Sequence, residues 1–353
     1  MKTLIARRVA CVAATATIFT AGAASAATEV TTDNFVRAES DLYFSRIVKD
    51  GGFGRFHARR TLPRVDQQIV VRLNRDTLYS AAVIDLDAGP ATVTVPSTGD
   101  RYLAMQAINE DHYTTQIIHS GGQYRFTRET AGTRYLLLAV RILVDANDPR
   151  DLDEVHRLQD RFAISQARSG HFEIPDWDAG TQTKVRDHLV ALGTLLPDAK
   201  RMFGAKGEVD PVRHLIGVAF GWGGNPEREA IYLNEVPKHN DGTTVYRLHA
   251  DKVPVDGFWS VSVYNANGYF EPNSANAYTV NNVVAKHGPD GSVDVQFGGC
   301  TADSANCLPI SAGWNYMVRL YRPQHALLDG RWQFPVAQPV EAAASPAQSK
   351  PSE

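Results

Sequence analysis

The sequence is 353 residues long, with 43% hydrophobic residues, 36 Lys and Arg against 39 Asp and Glu, and a formal net charge of −3. Apolar content of that size is enough for real cores, so disorder is expected only at the ends. The mixed, mildly acidic charge gives no footing for nucleic acid or an anionic membrane surface, both of which need a basic excess.

Lys2, Arg7 and Arg8 make a positive start, Val9 to Ala21 is apolar and uncharged, and Ala24-Ser25-Ala26 has the small-x-small pattern of a cleavage site. That order predicts a signal peptide over residues 1–26, cleaved after Ala26 into the periplasm or the medium. Arg7-Arg8 leaves a twin-arginine route open beside the general secretory one. No later stretch reaches the roughly 20 apolar residues of a membrane helix, so no membrane insertion is expected after cleavage. Removing three positive and no negative charges takes the net charge from −3 to −6. The mature length predicts two domains of roughly 150 residues each. Cys11 lies in the signal, which leaves Cys300 and Cys307. In an oxidising compartment they read as a local disulfide; a metal site would want CxxC spacing or a nearby histidine, and neither is present.

Residues 33–49 predict a helix, capped by Asp33 and ended by Gly51-Gly52. Residues 68–73, 78–85, 91–95, 102–108, 123–127 and 134–144 predict strands, and their short separations predict antiparallel pairing. Asp148-Pro149 opens a helical middle, with Leu152, Val155, Leu158 and Phe162 at helical spacing. A second helix follows Thr181, and residues 210–220 predict a third. From Tyr232 onward strands return at 243–248, 258–264, 277–280, 293–297 and 316–321, as in a sandwich or jelly roll. The resulting organisation is an N-terminal domain over 33–145, a helical connecting region over 146–230, a C-terminal β-sandwich over 231–340 and a disordered tail over 341–353.

Two polar clusters could carry chemistry. Arg72, Asn74, Arg75, Asp76 and Tyr79 follow a predicted strand; arginine offers a planar fork and tyrosine a rigid hydroxyl for a carboxylate or sugar. The same residues also make good turns, with Arg75 paired to Asp76 or Asp85. Glu110, Asp111 and His112 form an acid–base neighbourhood, which equally fits a satisfied surface histidine. Within 258–264, period two puts Phe258, Ser260, Ser262 and Tyr264 on one face and Trp259, Val261 and Val263 on the other. The first face reads as a ring- or sugar-stacking surface or as plain packing. Trp222, in the glycine-rich run 221–226, suits a tight turn against a neighbouring domain. No nucleophile elbow, zinc helix, phosphate loop or dinucleotide glycine pattern occurs, so no cofactor and no metal are expected.

Asn34-Phe35, Ala38-Glu39, then Arg72-Leu73-Asn74-Arg75-Asp76-Thr77-Leu78-Tyr79-Ser80 and Arg101-Tyr102, resemble the bacterial domain of unknown function numbered 1254. Pro254-Val255-Asp256-Gly257-Phe258-Trp259-Ser260, Asn306-x-Leu308-Pro309, Arg319-Leu320-Tyr321-x-Pro323 and Trp332-x-x-Pro335 resemble its usual partner, the domain numbered 1214. Cys307 stands where that family usually has tryptophan, which leaves room for the disulfide. The resemblance implies an α+β, β-rich protein: a mixed α+β domain with an antiparallel sheet in front, a helical connection, and a jelly-roll-like β-sandwich behind. It carries over no catalytic residues.

Two functions fit these observations. One is an exported enzyme, a hydrolase for instance, acting on a small organic or glycan substrate: Asp76, Glu110, Asp111 and His112 are its acid–base candidates, and Arg72, Asn74, Arg75, Tyr79, Trp222, Phe258 and Tyr264 its binding candidates. The other is a non-catalytic extracytoplasmic protein that binds a ligand or belongs to the cell envelope.

Overall fold

The computed structural model describes residues 26–68 and 71–340. The signal peptide up to Ser25 and the tail over 341–353 lie outside the described residues. In chain order the elements of the first half are α1 (Phe35–Lys49), β1 (His57–Ala58), β2 (Thr77–Asp85), β3 (Ala91–Val95), β4 (Leu103–Asn109), β5 (Thr114–Ile118), β6 (Gly122–Phe126), α2 (Arg128–Ala131), β7 (Tyr135–Leu143), α3 (Pro149–Asp160), β8 (Ala163–Gln166), α4 (Ala179–Gly193) and α5 (Pro211–Gly221). The second half holds β9 (Ala230–Glu235), β10 (Tyr246–Ala250), β11 (Trp259–Tyr264), β12 (Thr279–Asn281), β13 (Val293–Phe297), β14 (Cys307–Leu308), β15 (Asn315–Tyr321), α6 (His325–Leu328) and β16 (Gln338–Pro339). The expected α+β class holds. No helix among the described residues is long and apolar enough to cross a membrane.

The first sheet has the order β1-β2-β7-β4-β5, antiparallel throughout, with β7 in the middle. Side chains alternate across a sheet, so each strand serves two different environments. Leu78, Ile84, Met105, Leu138, Val140 and Ile142 point to one side and form a core with α3 and the small sheet β6-β3-β8. The opposite side is divided. Val83, Tyr135 and Leu137 lie beneath Phe44 of α1, and Leu143 lies with Phe258 and Tyr321 of the second half.

α4 and α5 buttress α1 more than they connect the halves: Leu189 and Ile216 share a core with Phe35 and Ala38. Aspartates start α3, α4 and α5. Asp148 accepts from Arg150 N–H, Asp178 from Thr181 N–H, and Asp210 from Val212 and Arg213 N–H, with Pro149 and Pro211 at first helical positions where no N–H is needed. At α1 the cap position is Asn34, not Asp33, and it makes no side-chain cap bond.

The second half is two sheets, β12-β11-β15-β9 and β14-β13-β10-β16, facing each other across Trp259, Val261, Val318, Val295, Phe297 and Trp314. Cys300 and Cys307 form the disulfide, as an oxidising environment would allow.

Several segments differ from the sequence expectation, among them β9, which none of the expected strands covered. The strand expected over 68–73 is absent at its described residues: Arg72 takes φ 54, a left-handed conformation that ends extended pairing, and β2 runs from Thr77. β5 is an additional strand because Glu110–His112 forms the turn of a hairpin between β4 and β5. β8 is another, its polar edge Ala163–Gln166 pairing with β3.

Candidate functional site

The segment before β2 clamps the two halves together. Asp76 is buried, and its two carboxylate oxygens accept from Ser260 Oγ at 2.6 Å and Thr279 Oγ1 at 3.1 Å. Arg319, on β15, is buried beside it and donates to Ser262 Oγ, to Tyr264 O–H and to the carbonyls of Arg72 and Leu73. Tyr264 in turn donates to Leu73 O at 2.8 Å. Arg72 donates to Asn315 Oδ1 and rests over the Tyr264 ring, while Arg75 donates to Pro63 O and rests over Tyr278. Burial holds both guanidinium groups below the ordinary arginine value. The Ser260–Ser262–Tyr264 face of β11 is therefore covered by the other half of the chain.

Glu110, Asp111 and His112 lie elsewhere, in the β4–β5 turn, and no hydrogen bond or ion pair joins them to Asp76. Asn109 Oδ1 accepts from the N–H groups of Asp111 and Tyr113, which fixes the turn, and His112 takes φ 61. Glu110 accepts from Tyr135 N–H at 2.8 Å and pairs with Arg37. Asp111 pairs with the same arginine at the surface. His112 is buried against Phe203, His214 and Trp222, and its Nε2 accepts from Gly223 N–H at 2.8 Å. Burial, then His214, pushes its pKa well below the ordinary value, so the ring is neutral with its proton on Nδ1.

Between these two places lies a stretch of sheet that α1 and the second half leave partly open. On β2, Tyr79 and Ala81 are partly exposed between buried Thr77 and Val83; on β7, Ala139 and Arg141 are partly exposed between buried Leu137 and Leu143. In register Tyr79 pairs with Arg141 and Ala81 with Ala139, so the four residues form one window on the middle of the sheet. Its edge nearest α1 adjoins the cluster holding Ile47 and Trp222. Trp222 stacks on Tyr43 with centroids 4.4 Å apart and donates to Ser40 Oγ.

Arg141 dominates the other edge. It donates to Gln106 Oε1 and to Gly223 O, both at 3.1 Å, and lies over the Tyr79 ring. Gln106 in turn donates to Gly224 O. Gly223 thus links His112 to Arg141, and its φ of 79 is the left-handed conformation that glycine adopts freely. At Gly224 a Cβ would stand 2.4 Å from the Phe203 ring.

Asn74 Oδ1 accepts from Asp76 N–H, which turns its amide nitrogen toward Tyr79 and Tyr321, whose hydroxyl oxygens lie at 3.1 and 3.2 Å. Tyr232 accepts from Asn225 Nδ2 at 2.8 Å. Burial raises the phenols of Tyr102 and Tyr321, so they remain neutral donors at any working pH.

Of the residues singled out in the sequence, Asn74, Tyr79 and Trp222 border the window. Arg72, Arg75, Asp76 and Tyr264 belong to the clamp, and Phe258 packs on Tyr102 and Tyr321 beside it. Sequence reasoning missed Arg141, Gln106, Tyr102, Tyr232 and Tyr321. The available signal was Arg141 itself, a lone charge inside the apolar run Tyr135–Leu143. Among the described residues no three His, Cys, Asp or Glu side chains are grouped to hold a metal ion.

Residues 53–166 match the family described as Protein of unknown function (DUF1254), and residues 231–325 match Protein of unknown function (DUF1214). No curated protein matches the chain. Among solved structures it is similar to the VPA0106 protein from Vibrio parahaemolyticus, at 18% identity and a TM-score of 0.67, over 88% of this chain and 98% of that one. It is also similar to an uncharacterized protein from Burkholderia cenocepacia, at 15% identity and a TM-score of 0.50, over 87% and 86%. At such identities the likeness is one of fold.

Proposed function

We propose that this chain, which belongs to the family pairing a DUF1254 domain with a DUF1214 domain, is an exported binding protein that holds a small organic ligand on the open sheet face where its two halves meet. The observation that carries this reading is the window: solvent reaches Tyr79, Ala81, Ala139 and Arg141 in the middle of a sheet whose flanking positions are buried. A site at a domain junction, part apolar and part hydrogen-bonding, is a usual setting for a small ligand. Export is supported by the charged, apolar and small-residue order of residues 1–26 and by the disulfide.

Binding is favoured over hydrolysis because the acid–base candidates are occupied. Asp76 accepts two hydroxyl donors, Glu110 a backbone donor and an arginine, Asp111 the same arginine, and His112 a backbone N–H. None faces another across an open space where a substrate bond could sit.

The test is a thermal-shift screen of the mature protein against small organic acids, amides, amines and sugars, repeated on Ala139→Trp. The expected result is a saturable rise in Tm with at least one class, lost in Ala139→Trp while circular dichroism is unchanged. A ligand bound equally well by Ala139→Trp would place the site elsewhere and end this reading.

A further inference from the structure

We infer that the ligand is an apolar-bodied carboxylic acid whose carboxylate is held by Arg141; this rests on the binding role proposed above. The groups around the window are almost all donors. Arg141 has five N–H groups, and two of its nitrogens are engaged, with Gln106 and Gly223. Among the described residues no carboxylate lies within 4 Å of it, so its charge has only neutral company. A guanidinium largely removed from water without an anion is costly, and an incoming carboxylate both cancels the charge and takes the remaining N–H groups in a forked pair.

The hydroxyls lean the same way. Tyr79 and Tyr321 receive the Asn74 amide, and Tyr232 receives Asn225, so each phenol oxygen is used as an acceptor while its own O–H finds no protein acceptor among the described residues. Tyr102 O–H has no protein partner among them either. Cations and neutral donors find little here to accept their protons, whereas an oxyanion finds an array of donors.

The rest of the window sets the body. Ala81 and Ala139 offer a floor of methyl groups, with Ile47 and Trp222 at the far edge. A short alkyl or flat ring lies on such a floor without losing hydrogen bonds, and small inorganic anions gain nothing from it.

The deciding measurement is titration calorimetry of the mature protein with hexanoate, hexanamide, hexylamine and inorganic phosphate. Hexanoate is expected to bind about 10- to 100-fold more tightly than hexanamide, the range of a charge-assisted hydrogen bond, and hexylamine and phosphate not measurably. In Arg141→Met the acid should lose that advantage. Tyr102→Phe, whose lost hydroxyl bonds no protein atom, should weaken the acid a few-fold with the Tm unchanged. Hexanamide binding as well as hexanoate, or Arg141→Met and Tyr102→Phe both binding the acid normally, overturns the inference and leaves a neutral ligand on the same window. Phosphate binding as tightly as hexanoate overturns the apolar body. If hexanoate binds to Ala139→Trp as to the unaltered chain, it is the binding site itself that has failed.

Discussion

Ser260 Oγ donates to Asp76 Oδ2 at 2.6 Å across 184 positions of sequence, tying the segment before β2 to the inward face of β11. With Thr279 on the other carboxylate oxygen and Arg319 buried alongside, the bond belongs to a polar seam between the two halves. Asp76→Ala should therefore destabilise the chain by about 3 kcal/mol, because two hydroxyls and a guanidinium lose their acceptor or countercharge in a dry place. Asp76→Asn keeps one acceptor and should cost about half as much. Urea unfolding of both variants checks this, and a loss below about 1 kcal/mol for Asp76→Ala would show that the seam does not hold the halves.

Acid dependence should be set by two buried groups acting in opposite senses. Asp41 on α1 is buried and accepts from Trp177 Nε1; burial raises its pKa most, the Trp177 bond pulls it back, and the Glu110 charge raises it again, to about 6. An unfolded aspartate titrates near 3.9, so between about pH 4 and 6 the folded chain holds a proton that the unfolded one has lost. Stability from Asp41 is full below that window and declines as pH rises through it. Asp41→Asn should remove the slope and add about 2–3 kcal/mol above pH 6. His112 has the opposite shift, so the unfolded chain takes up a proton below about pH 6.5 that the folded chain refuses, and stability falls with acid. His112→Gln, which keeps an acceptor for Gly223, should flatten that limb alone. Denaturant midpoints from about pH 4.5 to 7.5 separate the two slopes; equal pH profiles for all three proteins would refute both assignments.

The elements were largely legible because their signals are local. Alternation in 258–264 sorts Trp259, Val261 and Val263 into the sandwich core, and the Asp-Pro pairs mark the starts of α3 and α5. The destination of a polar face is not local. Ser260, Ser262 and Tyr264 look the same in sequence whether they meet a sugar or Asp76, and only the docking of the two halves decides it. The window was invisible for the same reason. Ala81, Ala139 and Arg141 come from two strands, and their exposure depends on where α1 stops and the second half begins.

The Cys300–Cys307 disulfide closes a short loop that ends at β14. In the chain-entropy account a loop of that size is worth about 2.5 kcal/mol. Cys300→Ser with Cys307→Ser should lower stability by about that amount and leave ligand affinity at the window unchanged. Loss of binding in a folded double variant would show that the loop communicates with the domain junction.

The two adjacent glycines beside Arg141 are constrained for different reasons, and their variants should separate. Gly223 has φ 79 and nothing within 4 Å of an added Cβ, so Gly223→Ala meets only the backbone preference of an L-residue, about 1–2 kcal/mol. Its carbonyl receives Arg141 and its N–H serves His112, so a relaxing loop should also loosen the guanidinium. At Gly224 the backbone is ordinary, but the added Cβ would collide with the partly buried Phe203 ring at 2.4 Å, which must shift. Gly224→Ala should therefore be the more destabilising, and Phe203→Leu in the same chain should recover part of the loss. Gly223→Ala should gain nothing from that second change, since no side chain opposes it. Melting curves for the two singles and the two doubles decide between strain and collision. Rescue of both by Phe203→Leu would mean that the loop packs as one body.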